Sequence, residues 1–399
     1  MKKNKKNLDS DGNRPDSATC TKRPFVIAEL GTSHNGEIVK AKEMTDAAAG
    51  AGADCVKFQM VFADEILHPN TGDVDLPGGR IRLYDRFKAL ETPREFYQEI
   101  KEYAESRGLL FLCTPFGLKS ASILKELQPK MVKIASPELN YTGLLEETAR
   151  WNIPVLLSTG VSKLGDIDRA LETIRNGQSE IDNNTKTAQN FGINKDESLP
   201  FTAQCALLHC VTSYPAPEID YNLRVIPSLA AVFGVPVGVS DHSADPELVP
   251  VLAAYLGAVA IEKHFCLSKK DNGLDDPIAL EPHDFAGMVK AINKQSLGSE
   301  RMIEFYKRER GENYIEKILG SGIKELAASE RENYRLTNRS IHALRDIKAG
   351  EALKNSDYAV LRTEKNLRPG LDPYWEKSLL GRIAKRFIPA GEGIRFEDI

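Results

Sequence analysis

Between residues 25 and 265, short runs of unbroken hydrophobicity recur eight times, each followed by a segment of helical period. The runs are FVIAEL (25–30), DCVKFQ (54–59), LLFLCT (109–114), MVKIAS (131–136), PVLLST (154–159), ALLHCV (206–211), PVGVSD (236–241) and AVAIEKHF (258–265). A strand with one face in water alternates apolar and polar residues. A continuous apolar run belongs to a strand covered on both faces, as parallel sheets with crossover helices require. Segments such as IVKAKEMTDAAAGAGA (38–53), PREFYQEIKEYAESRG (93–108) and NLRVIPSLAAVFG (222–234) supply those helices. Eight such units in about 270 residues predict a (β/α)8 TIM barrel. A doubly wound open sheet is the structural alternative; the number of units, and the lack of a G-x-G-x-x-G after the first run, weigh against it.

The barrel is expected over residues 23–296. Residues 1–22 are polar and read as a disordered tail. The Asn-rich stretch 176–204 reads as a surface excursion between the fifth and sixth strands. Residues 297–333 are charged and helical in period, a linker helix; residues 334–399 carry short strand-like pieces and frequent turn signals (KAGE, RPG, PAGEG), a separate small β-rich domain. Lys plus Arg count 53 against 57 Asp plus Glu, a net charge of −4, so no global basic field of the kind nucleic-acid binders use is present. No run approaches the ~20 apolar residues of a membrane helix, and the first residues lack the apolar core of a signal peptide. A cytoplasmic protein is the expectation. Cys20, Cys55, Cys113, Cys205, Cys210 and Cys266 form no C-x-x-C pair, and most sit in apolar runs, where a reduced core thiol is expected.

The C-terminal ends of barrel strands form the active face, and here every one of them carries a polar group. They are Glu29; Lys57 and Gln59; Thr114; Lys133, Ser136 and Glu138; Ser158; His209, Thr212 and Tyr214; Ser240, Asp241 and His242; and Glu262, Lys263 and His264. Taken singly, a strand-end Ser or Thr is commonly a helix N-cap, and a strand-end His a hydrogen-bonded structural residue. Taken together they form two constellations. Lys57 and Lys133, with Thr114, Ser136, Ser158 and Ser240, make a ring of cations and hydroxyls suited to a phosphate and a carboxylate. His242 and His264 end adjacent strands and can converge on one divalent ion; imidazoles with open water positions suit Mn²⁺, Fe²⁺, Co²⁺ or Zn²⁺ better than Ca²⁺.

The segments FVIAELGTSHNG, GADCVKFQ, LCTPF, VKIAS, LLSTG, LHCVTSYPAP, GVSDHS and IEKHF, followed by NRSIHALRDIKAGE, resemble the sialic acid synthase family in order from about residue 23 to 399. The resemblance implies a TIM barrel with a C-terminal antifreeze-like (SAF) domain. It also implies condensation of phosphoenolpyruvate with an N-acylated amino-hexose to a nine-carbon 2-keto acid and phosphate. Carried over by position, Lys57, Thr114, Lys133, Ser136, Ser158 and Ser240 would hold phosphoenolpyruvate, and His242 and His264 a metal, typically Mn²⁺. Glu29, Gln59, Glu138, Tyr214 and Asp275 would face the sugar, Glu29 or Glu138 serving the water that adds. Arg339 would reach the acyl group of sugar bound in the partner subunit of a domain-swapped homodimer. The chain departs from the family pattern at Ser33, where NHNG becomes SHNG, and at Thr212, where Asn is common; GPDH becomes GLDDPIALEPHDF (273–285), which keeps Asp275. Rival readings are synthases for pseudaminate, legionaminate or a 9-phosphate product, a metal-dependent pyruvate aldolase, and a non-enzymatic sugar- or ice-binding protein.

Overall fold

The structure, a computed structural model, describes residues 23–76, 79–179, 199, 204–271, 273–295 and 299–399. The expected tail 1–22, Cys20 and most of the Asn-rich stretch lie outside the described residues.

Eight parallel strands form one sheet: β1 (Phe25–Gly31), β2 (Cys55–Met60), β5 (Leu110–Pro115), β6 (Val132–Ile134), β7 (Val155–Ser158), β8 (Cys205–Cys210), β9 (Val237–Asp241) and β10 (Ala260–His264). Their order is β5-β2-β1-β10-β9-β8-β7-β6, and β6 lies beside β5, closing the ring. Helices Ile38–Gly50, Arg94–Ser106, Leu118–Glu126, Thr142–Ala149, Leu164–Ser179, Val225–Phe233, Leu248–Tyr255 and Pro282–Gln295 surround it. The (β/α)8 barrel expected from the eight apolar runs is therefore present. An antiparallel hairpin, β3 (Asp73–Leu76) and β4 (Gly79–Arg82), interrupts the unit after β2.

Side chains alternate along a strand, so each strand feeds two cores. Outward residues such as Val26, Ala28 and Leu30 of β1 join the large cluster packed against the helices. Inward residues Ile27, Cys55, Leu112, Met131, Leu156, Leu208 and Ala260, one from each of seven strands or their edges, form a separate apolar plug inside the barrel. On β9 the inward place is Gly238, where a Cβ would stand 2.3 Å from the Ala260 carbonyl and 2.8 Å from Leu208. The five described cysteines are buried and free, as the apolar runs suggest.

Beyond the barrel, helices Ser299–Arg310 and Glu312–Leu319 pack back on it, the second through Arg224 and Glu316 at 2.7 Å. The expected linker helix thus ends at Leu319, and residues 320–338 run mostly without regular structure across the barrel mouth. The small domain pairs β11 (Arg339–Ala343) with β12 (Tyr358–Arg362) antiparallel. Ile341, Ile347, Leu353, Val360, Ile388 and Ile394 are among its buried residues. It sits on the C-terminal face of its own barrel, with Asn140 bonded to the Arg339 backbone on both sides and Lys377 paired with Glu146 at 2.8 Å. No helix among the described residues is long and apolar enough to cross a membrane.

Candidate active site

Two residues beyond each apolar plug residue, the same inward face turns polar. Ile27 is followed by Glu29, Cys55 by Lys57 and Gln59, Leu112 by Thr114, Met131 by Lys133, Leu156 by Ser158, Leu208 by Cys210, and Ala260 by Glu262 and His264. Parallel register sets these side chains level: Glu29 stands opposite both Lys57 and His264, Gln59 opposite Thr114, and Glu262 opposite Ser240. The polar layer therefore caps the apolar one and opens upward into a cavity of about 60 Å³. Glu29, Lys57, Gln59, Thr114, Lys133, Ser136, Ser158, Thr212, Tyr214, Ser240, His242 and His264 all line it.

The cations at its floor share carboxylates. Lys57 Nζ lies 2.9 Å from Glu29 and 2.8 Å from Glu262; Lys133 Nζ lies 4.0 Å from Glu262 and donates to Ser158 Oγ at 2.6 Å. Ser240 Oγ donates to Glu262 at 2.8 Å, and Gln59 Nε2 to Glu29 at 2.7 Å. Burial pulls the Lys57 ammonium down to about 8, against the pull of Glu262. Burial works against a charge on Glu262, but Lys133 and Lys57 outweigh it and hold the carboxyl down to about 2. The alternation also explains the charged strand end EKH. Glu262 and His264 point in, whereas Lys263 points out and pairs with Asp241 at 2.6 Å.

On the opposite side of the cavity the His242 and His264 rings stand 5.3 Å apart between centroids. His242 Nδ1 lies 2.8 Å from the Val211 carbonyl, a contact that fixes the ring and turns Nε2 toward the cavity, where Tyr214 Oη lies 3.4 Å away. Tyr214 stacks on the same ring at 4.3 Å. Burial pushes His264 well below its ordinary value, leaving it a neutral imidazole. Asp275 lies 3.8 Å from His264, and desolvation pushes its carboxyl up to about 6. Ser33, the departure from NHNG, donates to the buried Asp276 at 2.5 Å and so ties the β1 loop to the one that carries Asp275. His209 does not reach the cavity. It contacts the Tyr221 carbonyl at 2.5 Å, and the Tyr221 hydroxyl accepts from the His242 backbone.

Two expected sugar-facing residues stand elsewhere. Glu138 is fully buried, and its Oε1 accepts from Arg339 Nε at 2.9 Å and from Arg362 Nη2 at 2.6 Å. Glu138 does not line the cavity, which leaves Glu29, of the two, as the carboxylate that faces it. Arg339, expected to reach sugar, is spent on this pair within its own chain and on the Phe116 carbonyl at 2.6 Å. Glu138 had no visible partner in the sequence because its two arginines lie 201 and 224 residues away.

Residues 44–302 match the NeuB family and residues 338–399 the SAF domain. The chain belongs to the NeuB family. It is 36% identical over 378 residues to spore coat polysaccharide biosynthesis protein SpsE of Bacillus subtilis, covering 94% of this chain and 93% of that one. It is 30% identical to the N,N'-diacetyllegionaminic acid synthase of Campylobacter jejuni, over 94% and 99% of the two chains. The crystal structure of the Bacillus subtilis protein aligns with a TM-score of 0.74 at 35% identity, covering 94% of this chain and 95% of that one.

Within this NeuB-family chain, sequence reasoning left out Cys210 and Phe116, which also line the cavity, and Arg362, whose guanidinium lies 5.4 Å over the Phe116 ring. Cys210 follows Leu208 by two and was legible from the alternation. Arg362 was not, since it arrives from the SAF domain. The donor set fits a divalent ion of the imidazole-binding kind, with one ring fixed by a carbonyl and the other kept neutral. Among the described residues no three His, Cys, Asp or Glu side chains converge closely enough to hold an ion. An ion at His242 and His264 would leave its other positions to water and substrate.

Proposed function

We propose that this NeuB-family protein condenses phosphoenolpyruvate with an N-acylated amino-hexose and water to give a nine-carbon 2-keto sugar acid and phosphate. The observation that carries the reading is the shared cavity in which Lys57, Lys133 and four hydroxyl residues face two imidazoles. In this reading the phosphate and carboxylate of phosphoenolpyruvate take the lysines, with Ser136, Ser158, Ser240 and Thr114 donating directed hydrogen bonds. Glu262 serves as counter-ion to both lysines until the substrate's own anions arrive. C3 of phosphoenolpyruvate attacks the aldehyde carbon of the open-chain sugar, water adds to C2, and phosphate departs by cleavage of its bond to C2. A divalent ion, proposed as Mn²⁺ on His242 and His264, supplies Lewis acidity to the aldehyde oxygen when bound.

Glu29 is the residue proposed to orient and deprotonate the water, since it alone of the two candidate carboxylates faces the cavity. Its Oε1 is fixed by Gln59 and its Oε2 by Lys57. Gln59 and Tyr214, which line the cavity, and Asp275, 3.8 Å from His264, are the residues proposed to meet the sugar. Among the described residues, the cations lining the cavity are Lys57 and Lys133, both on its floor, which favours an acceptor without a phosphate of its own. We further propose a cytoplasmic homodimer that exchanges SAF domains, in which the contacts of Arg339 with Glu138 form between chains.

The test is phosphate release from phosphoenolpyruvate with Mn²⁺ and a panel of acceptors: N-acetylmannosamine, its 6-phosphate, and the diacetamido-trideoxyhexoses that lead to legionaminate and pseudaminate. Release with an unphosphorylated acceptor alone supports the reading and names the product. Silence across the panel from folded, metal-loaded protein overturns it.

A further inference from the structure

The segment between barrel and SAF domain does more than join them. Glu330 lies within it, fully buried, and its Oε1 accepts from two backbone N–H groups, Val161 at 2.7 Å and Thr212 at 2.6 Å. Val161 belongs to the loop after β7, Thr212 to the loop after β8. The same segment takes the carbonyls of both residues: Asn333 Nδ2 donates to Thr212 O at 3.2 Å, and Asn338 Nδ2 to Val161 O at 3.4 Å. Each loop is therefore gripped by donor and acceptor alike, from one stretch of nine residues. Lys324, buried in the same segment, carries a charge that burial disfavours and Glu330 supports.

What the grip holds is part of the cavity wall. Thr212 lines the cavity, and its Oγ1 is buried without a hydrogen-bond partner, a hydroxyl free to meet a ligand. Gly160 leaves room for that hydroxyl: a Cβ there would stand 2.1 Å from Thr212 Oγ1 and 2.9 Å from Ser136 Oγ. Gly160 N donates to Ser136 Oγ at 3.0 Å, which carries the loop's position through to a phosphate-side residue. Val161 sits at φ +42°, a left-handed conformation costly for a β-branched side chain and retained only where the surroundings enforce it.

We infer that Glu330 is a positioning residue for the reaction: its carboxylate locks the loops after β7 and β8 together and aims Thr212 and Ser136 at phosphoenolpyruvate. The inference rests on the proposed condensing activity. A barrel without the seated linker has the floor lysines but not this wall. The two bonds to the loops both fall on Oε1, while Oε2 accepts from the Ala327 backbone at 3.3 Å within the segment itself, so Gln can keep the two loop bonds and Ala cannot.

The experiment compares full-length wild type with Glu330→Ala, Glu330→Gln and Asn333→Ala. Steady-state phosphate release and the rise in melting temperature on adding phosphoenolpyruvate alone are both measured. The expected result for Glu330→Ala is a KM for phosphoenolpyruvate raised roughly 30-fold or more, as loss of two hydrogen bonds to a charged group implies. Its kcat falls less, and its thermal response to phosphoenolpyruvate is lost. Glu330→Gln recovers most of that loss, and Asn333→Ala raises KM by roughly 3- to 10-fold, the scale of one hydrogen bond. If Glu330→Ala does not fold, Asn333→Ala carries the test. Wild-type KM and thermal response in folded Glu330→Ala, or in Asn333→Ala where Glu330→Ala does not fold, overturn the inference. A wild type that neither turns over nor responds to phosphoenolpyruvate overturns the functional reading instead.

Discussion

At the scale of single residues, Glu262 is the counter-ion on which both floor lysines depend. Removing one member of a buried charge cluster leaves the others desolvated without a partner, so Glu262→Gln is expected to lower unfolding free energy by about 3–5 kcal/mol. Urea denaturation measures that loss, and an unchanged midpoint would show the cluster to be solvated. His264→Ala is expected to remove turnover altogether, because one imidazole cannot replace two. Near-normal phosphate release would take His264 out of the chemistry. The residues of this layer were legible in the sequence because period-two alternation sorts EKH into inward and outward groups without any knowledge of the rest of the chain. The resemblance carried Glu138 over as a sugar-facing residue, and no local pattern shows its pairing with Arg339 and Arg362.

At the scale of elements, every barrel strand is apolar at its inward start and polar two residues on, and this stagger is what places chemistry on one end. Gly238 is the exception that keeps β9 against its neighbours. Gly238→Ala is expected to cost roughly 3 kcal/mol, because its Cβ would meet backbone rather than a flexible side-chain tip. A melting temperature equal to wild type would mean that β9 moves freely. The eight strands and their helices could be read from hydrophobicity because the same short apolar run followed by a helical-period segment recurs eight times. The β3–β4 hairpin and residues 320–338 could not, since the first is two strands of four residues each and the second takes its shape from hydrogen bonds to distant loops.

At the scale of the whole molecule, three imidazoles besides His264 are locked neutral in different places: His34 against Phe96 near the first barrel loop, His209 under the site, and His342 in the SAF domain. Burial lowers them to about 4, about 3 and about 4 respectively. In the unfolded chain each takes a proton near 6.5, so between that pH and 4 the unfolded state binds more protons and stability falls with falling pH. The expected loss is about 2 kcal/mol per imidazole at pH 5; a melting temperature flat from pH 7 to 5 would contradict it. Glu138→Ala, which strands two buried guanidinium groups between barrel and SAF domain, is expected to loosen that junction, seen as faster proteolysis within residues 320–338. Glu330 lies 169 residues after Val161 and 118 after Thr212. On the ribosome, then, all eight strands emerge before the carboxylate that finishes the cavity wall. The cavity wall is thus completed only after the barrel's own strands have emerged, and a chain ending before residue 330 would lack it.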